Sequence, residues 1–462
     1  MTAKVGSLKN PVRASWIRDL GCRLDAPPFV SGALEARKTL ESLNVRKDSL
    51  ADITTGIYHA GRESRRWVTD LQYGVPFLSS SNILESDLSI LPLLSKKQIE
   101  KTPQFIIHEG WTLISRSGTI GKTSFARGEM DGMACSEHVM RVVPDEAKVL
   151  PGYLFAFISS KFGIPIVVSG TYGSIIQSIE PQHLATLPVP RFTLRLEKCI
   201  HEAVVEAAMK RSNAGKLRSD LRKSVESYIG WTERPMDLSP TCTSSLNLSR
   251  RLDGFYHGRS VNEARNAFRF HKDSKRLGDV VERVFEPNRG ARKKVEDAAF
   301  GVPFLSSSAV FCIDPRAEYL VSNKTPHLES LILTERDVLL PRSGQLGGII
   351  GRAVLPLRSN IGDAASEHLV RVRCKSTNSA HLAWAIFSTQ PGYLCAIATA
   401  FGTSIPSLDC SLLSNLSIPW NEGSATASFI EQSMKIHSAL DEAKLLERQA
   451  IDLVEQAIVE NA

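Results

Sequence analysis

Two stretches of the chain carry a seven-residue hydrophobic period. Across 194–231, Ile200, Ala207, Ala214, Leu221 and Tyr228 recur at that interval, and Leu196, Ala203, Val204, Leu217 and Val225 widen the stripe. Across 424–461 the same interval separates Phe429, Ile436, Ala443, Ala450 and Ala457, with Leu440 and Val454 between them. Neither stretch contains proline, and glycine is scarce in both. Such a stripe predicts a long amphipathic helix of coiled-coil character. At 1.5 Å per residue, ~36 residues give a rod of ~54 Å. Alanines at 207, 214, 443 and 450 leave room for close approach, so the two helices are expected to pair antiparallel.

Elsewhere the periods are shorter. FIIHEGWTLIS (Phe105–Ser115) and SLILTERDVLLP (Ser330–Pro341) read as strands, and the segments VMRV and LVRV alternate as strands do. GYLFAFISSKFG (Gly152–Gly163) and HLAWAIFSTQ (His381–Gln390) read as short buried helices. Gly, Pro, Ser and Asn punctuate these segments. The fold class this implies is α+β, mixed in each half, with a long helix closing each half.

The halves are copies. GVPFLSSS stands at Gly74–Ser81 and again at Gly301–Ser308. Around it, RLDAPPFVSGALEAR (23–37) resembles RLDGFYHGRSVNEAR (251–265), and LADITTGIYHAGRESRRWV (50–68) resembles LGDVVERVFEPNRGARKKV (277–295). RSGTIG at 116–121 returns as RSGQLG at 342–347, SEHVMRV at 136–142 as SEHLVRV at 366–372, and PQHLATLPVP as CSLLSNLSIP. The offsets stay between 226 and 230, an internal repeat of about 228 residues. That length is a domain and not a solenoid unit of roughly 20–50 residues. The expected division is 1–192, 193–232 (first helix), 233–421 and 422–462 (second helix).

Composition narrows the class. Of 462 residues, 42% are hydrophobic, enough for real cores, and no run of about 18 apolar residues predicts a membrane span. MTAKVGSLKNPVRASW has no apolar signal core. The eight cysteines lie apart without CxxC pairs, against a zinc site or a disulfide framework, so a reducing cytoplasm is expected. A net charge of +7 permits a polyanionic partner without requiring one.

Three catalytic patterns fail on inspection. GTIGKT at Gly118–Thr123 is near a phosphate-binding loop, but that loop needs GxxxxGK[ST] and Arg116 occupies the first glycine position. The second copy has neither the Lys nor the Thr, so the shared glycines predict a tight turn between strands. DAPPF at Asp25–Phe29 resembles the DPPF motif of amino-methyltransferases, yet Ala26 intervenes and the second copy reads DGFYH. SEH, at 136–138 and 366–368, contains two proton carriers, but its strand-like flanks favour a hydrogen-bonding role or a phosphate contact.

Charge becomes informative by position. GRESRRW (61–67) aligns with NRGARKK (288–294), pairing Arg62 with Arg289, Arg65 with Arg292 and Arg66 with Lys293, with Lys294 beside them. A basic, Gly-containing loop present twice suits phosphate contact. Arg116 and Arg342 on the RSG turns are similar candidates. Lys122 and Gln345 differ between the copies, as do GTYGSII (170–176, with Tyr172) and TAFGTSI (399–405). Loops that differ within a shared frame are where two heads read different bases.

The order of these elements resembles the specificity (S) subunit of type I restriction–modification systems. Those elements are RLD, the basic loop, GVPFLSSS, RSGxxG and a closing L-x-[IV]-P before a long helix, all of it duplicated. The resemblance covers nearly the whole chain; it departs at Glu63, which interrupts the first basic loop. It implies two tandem target-recognition domains, each reading half of an asymmetric bipartite site on double-stranded DNA. An antiparallel helical spacer would set half-sites about one turn, ~34 Å, apart. Two N6-adenine methyltransferase subunits bringing S-adenosylmethionine would be the partners, with motor–nuclease subunits using ATP and magnesium. The chain itself would carry no cofactor, metal or catalytic residue. The alternatives are a targeting subunit for a solitary methyltransferase or another phage-defence complex, a P-loop NTPase built on GTIGKT, and a two-headed protein scaffold.

Overall fold

The computed structural model describes residues 14–19, 29, 32–171, 178–239, 241, 251–402 and 404–462. The first RLD segment, all of DAPPF but Phe29, and Tyr172 lie outside the described residues. The chain forms two compact units, one of Met1–Asn213 with Glu442–Ala462, the other of Ala214–Asp441.

In the first unit, Lys47–Ser49 pairs antiparallel with Pro188–Pro190, Lys47 opposite Pro190. An antiparallel sheet runs in the order Thr54–Tyr58, Val139–Pro144, Thr112–Ser115, Thr123–Phe125. A second sheet runs Trp67–Val68, Leu93–Ser95, Gly74–Leu78, Ala134–Cys135, and only its last joint is parallel. A proline inside GVPFL is tolerated for a local reason. The Phe77 N–H bonds the Pro92 carbonyl at 2.9 Å. The Pro76 nitrogen therefore faces the opposite edge, where the parallel partner begins only at Phe77.

The second unit repeats this order of pairing. Ser274–Arg276 pairs with Ser417–Pro419, Ser274 opposite Pro419. Arg283–Phe285, Leu369–Arg373 and Asp337–Pro341 form an antiparallel sheet, extended by a single bridge from Leu339 to Val354. The second GVPFL, Gly301–Leu305, lies antiparallel to Tyr319–Ser322 and parallel to Ala364–Ala365.

Both expected buried helices form, at Pro151–Ile158 and Thr377–Phe387. The two long apolar runs are strands only at their C-terminal ends. In the first, Phe105 sits in a 3-10 turn and Gly110 takes φ 85°, so the strand begins at Thr112. In the second, Leu328–Leu331 is one helical turn. Thr334 then donates its N–H and its hydroxyl to the Asp337 carboxylate, which fixes a bend before the strand.

The long helices span Leu194–Ile229 and Ser424–Glu460. Ile200, Ala207, Ala214 and Leu221 on the first are buried, as are Phe429, Ile436, Ala443, Ala450 and Ala457 on the second. In the first unit, Ile200, Val204 and Ala208 share a core with Ala450, Ile451, Val454 and Ile458, and Pro151–Ile158 packs into it. In the second unit, Leu221, Val225 and Ile229 share a core with Phe429, Ile436 and Leu440. No single helix among the described residues is long and apolar enough to cross a membrane.

The second unit also encloses a histidine pair. The His437 ring stands edge-on to Trp384 with centroids 4.5 Å apart, and 5.3 Å from His381. Its Nδ1 donates to the Ser433 carbonyl at 2.8 Å, while His381 Nδ1 meets the Ser433 hydroxyl at 2.7 Å. Burial, then the charges of His381 and Arg218, push His437 down to about 3. Burial, then Arg358, pushes His381 down to about 4. Their ordinary value is 6.5, so as pH falls the unfolded chain takes up these protons before the folded chain does. Stability is therefore whole above pH 6.5 and is lost progressively as pH falls toward 4. Urea midpoints measured across that range should fall steeply in the parent chain and less steeply in His437→Gln. Parallel curves would show that this ring does not set the acid sensitivity.

Candidate functional site

The parallel joint after GVPFL brings the basic loop and the SEH turn together. The Ser136 N–H donates to the Leu78 carbonyl at 2.9 Å, and the Ser366 N–H donates to Leu305 at 2.9 Å. Each turn then presents its glutamate to the loop arginine. Arg65 Nη2 donates to Glu137 Oε2 at 2.7 Å and reaches the Ser136 hydroxyl at 3.4 Å. Its guanidinium lies over the Phe77 ring, 4.8 Å from the centroid. In the second unit, Arg292 Nη2 is 3.6 Å from Glu367 Oε1, and the guanidinium lies 4.6 Å over Phe304. Both glutamates are buried and both arginines half-buried. Burial works to raise the pKa of Glu137, but the Arg65 hydrogen bond and charge outweigh it and hold the carboxyl below its usual range.

Behind each corner stands the RSG turn. The Arg116 N–H bonds the His138 carbonyl at 2.8 Å, and the Arg342 N–H bonds His368 at 2.7 Å. The two side chains find different acids. Arg116 is buried, its Nε on the Ile179 carbonyl at 2.7 Å and its Nη2 on Glu180 Oε1 at 2.5 Å. Arg342 pairs at 2.9 Å with Glu286, which also holds Arg289 at 3.2 Å. In the first copy His59 aligns with Glu286 and lies 3.7 Å from Glu180. There a cleft of about 320 Å³ opens, lined by His59, Ala60, Arg62, Arg116, Glu137 and Ser178.

The first unit thus gathers Arg62, Arg65 and Arg116, and the second gathers Arg289, Arg292 and Arg342. Arg62, Arg66, Lys122 and Lys293 are exposed and have no ion-pair partner among the described residues. Lys294 lies over Tyr319, 4.3 Å from the ring centroid, and Gln345 is exposed on its turn. The GKT segment builds no phosphate loop: Thr123 opens the strand Thr123–Phe125, where such a loop needs a helix N-terminus. Gly118 and Gly121 instead hold φ of 79° and 80° in a tight turn, and a Cβ on Gly121 would meet Val168 Cγ2 at 2.5 Å. His138 Nδ1 is 2.6 Å from the Ser117 hydroxyl, a structural bond across the same turn. No cluster of His, Cys, Asp and Glu among the described residues could hold a metal ion.

Sequence reasoning left out the anchors. For Glu137 and Glu367 the SEH motif suggests a hydrogen-bonding role or a phosphate contact but names no partner, and Phe77 and Phe304 stand out only as letters of the repeated GVPFLSSS. Arg141 and Arg371, which the strand-like segments VMRV and LVRV contain without marking them, are wholly buried. Arg141 Nη1 donates to the Ser136 and Val139 carbonyls at 2.9 and 2.6 Å, and Nη2 to Phe105 and Cys135 at 3.3 and 2.5 Å. Arg371 does the same to Ser366, Leu369, Leu331 and Ala365. Each guanidinium therefore pins the SEH turn from beneath. The available signal was the identical SEH-x-x-R spacing in both copies.

No protein-family model and no curated protein matches the sequence. Among solved structures, the chain is similar to a type I restriction–modification S subunit from M. genitalium. That match has 12% identity and a TM-score of 0.33, over 90% of this chain and 93% of that one. It is also similar to the HsdS subunit from Thermoanaerobacter tengcongensis, at 13% identity and a TM-score of 0.27, over 90% and 97%. A third match belongs to work on complex assembly and conformational transition of the type I R-M system, at 13% identity and a TM-score of 0.28, over 89% and 97%. These structures are of the family that the sequence resembles. A TM-score below 0.5 establishes no common fold, so the weight stays with the chain's own duplicated residues.

Proposed function

We propose that the chain is the DNA sequence-specificity subunit of a type I restriction–modification complex, itself without catalytic residues. Two target-recognition domains would each read one half of an asymmetric bipartite site. The observation that carries this reading is the Arg–Phe–Glu corner. It occurs once in each unit with the same partners, beside loops that differ between the copies. A shared frame suits a shared task on two half-sites, and differing loops suit two different sequences.

The long helices would pair antiparallel as the spacer. Lys210 meets Glu442 at 2.8 Å, Arg211 meets Glu447, and Tyr228 packs on Phe429 with centroids 5.7 Å apart. Between the first and last of these, numbers rise on one helix as they fall on the other. Charge favours the unlike pair: the first helix carries eight Lys and Arg against five acids, the second three against seven. Partner methyltransferases would bring S-adenosylmethionine, and motor–nuclease subunits would bring ATP and magnesium. The exposed cations of the basic loops would neutralise phosphates in the cytoplasm.

Co-expression with the adenine methyltransferase encoded beside it, followed by single-molecule mapping of N6-methyladenine, tests this. The expected result is an asymmetric bipartite motif with a fixed gap that vanishes when this chain is omitted. A contiguous or palindromic motif, or a stable complex that methylates nothing, would sink the reading.

A further inference from the structure

Arg65 and Arg292 are the most constrained cations of the two basic loops. Each has one face of its guanidinium on a phenylalanine ring and one terminal nitrogen toward a buried glutamate. About 30% of each side chain remains exposed, at 29% and 30%. The glutamate has two effects. It orients the fork, by a hydrogen bond at 2.7 Å in the first unit and by charge at 3.6 Å in the second, and it cancels the charge beside it. A DNA phosphate brought to this fork would also approach a carboxylate, and like charges at such range repel appreciably near a protein surface. Neutralised cations also contribute little to counterion release, which is the source of phosphate affinity. A neutral base edge meets no such repulsion. Guanine offers O6 and N7 as two acceptors in the major groove, the pair that a fixed guanidinium fork matches.

We propose that Arg65 and Arg292 each read a guanine, one in each half-site. Glu137 and Glu367 act as positioning residues for the forks, and Phe77 and Phe304 support their faces. The proposal rests on the DNA-specificity reading above and adds a base identity to it. It assigns phosphate contact to the exposed cations that form no ion pair among the described residues, Arg62, Arg66, Lys122 and Lys293. Because the two corners are built alike, the two half-sites share a base even where their other positions differ.

The test uses the complex with its methyltransferase. The parent motif should contain a guanine in each half-site. Arg65→Lys, which keeps the charge but loses the fork, should relax that guanine in one half-site by about 10–100-fold in discrimination and leave the other half-site intact. Arg292→Lys should do the reverse. The dependence of DNA binding on salt should be unchanged in both. Glu137→Gln, nearly isosteric, should relax the same position as Arg65→Lys while steepening the salt dependence, because it releases a cation. Complex assembly and melting temperature verify that each variant folds. The proposal is overturned by a parent motif lacking guanine in either half-site. It is also overturned if Arg65→Ala weakens all sequences alike and lowers the salt slope by about one, the signature of a phosphate contact. Failure of the specificity reading would show earlier and differently, as the absence of any bipartite motif in the parent complex.

Discussion

Arg371→Met should lower the stability of its unit by about 4–5 kcal/mol, near the upper limit for a single substitution. The guanidinium is wholly buried and bonds four carbonyls, those of Ser366, Leu369, Leu331 and Ala365. Burial pushes its pKa down to about 10, so it is still charged at neutral pH. Two terms oppose. Removing a buried charge recovers several kcal/mol of desolvation. Orphaning four buried acceptors costs roughly 1–3 kcal/mol each, and the thioether replaces none of those bonds. The second sum is the larger, and the SEH turn loses its support as well. Arg371→Lys should fall between, because one ammonium cannot reach both pairs of carbonyls. Arg141→Met should behave like Arg371→Met in the first unit. Urea unfolding followed by tryptophan fluorescence measures this; a midpoint within error of the parent would show that water or repacking serves the carbonyls equally well.

The second large effect concerns Arg211 and Glu447, which form an ion pair buried beside the alanine stripe of the first unit. The Nε and Nη2 atoms of Arg211 are buried and make no hydrogen bond among the described residues. A pair so incompletely served gains little beyond the desolvation it suffers. Arg211→Leu alone should cost about 3–5 kcal/mol, since Glu447 is left charged and buried. Glu447→Leu alone should cost a similar amount. The double replacement should return to the parent stability or exceed it by about 1–4 kcal/mol. A double-mutant cycle on thermal unfolding reads the difference as a coupling energy. Additive single losses would mean that the two side chains do not sense one another.

What the sequence disclosed follows from what periodicity encodes. The seven-residue stripe from Ile200 to Leu221 and from Phe429 to Ala457 marks buried positions because a helix turns at a constant rate. The helices at Pro151–Ile158 and Thr377–Phe387 were legible instead as short runs apolar on nearly every side. The run Phe105–Ser115 misled because hydrophobicity does not report chain reversal, and Gly110 turns the backbone within it. Arg141, Arg371 and Arg211 were missed because a pattern of apolar and polar letters assigns every arginine to solvent. Each is buried by partners distant in sequence, which no local window contains. At the candidate site, the duplicated basic loop was visible as letters. That one arginine in each loop is committed to a distant glutamate, Arg65 to Glu137 and Arg292 to Glu367, was not.

The Arg211–Glu447 contact joins residues 236 positions apart, and the first unit draws in Glu442–Ala462. On the ribosome the first head is therefore synthesised early but completed last. At about 5–20 residues per second, roughly 10–50 s separate the emergence of its two halves. During that interval the core that holds Ile200, Val204 and Ala208 has Leu154 and Val189 but lacks Ala450, Val454 and Ile458. The second unit, Ala214–Asp441, can close before then, so the order of translation and the order of folding run in opposite directions.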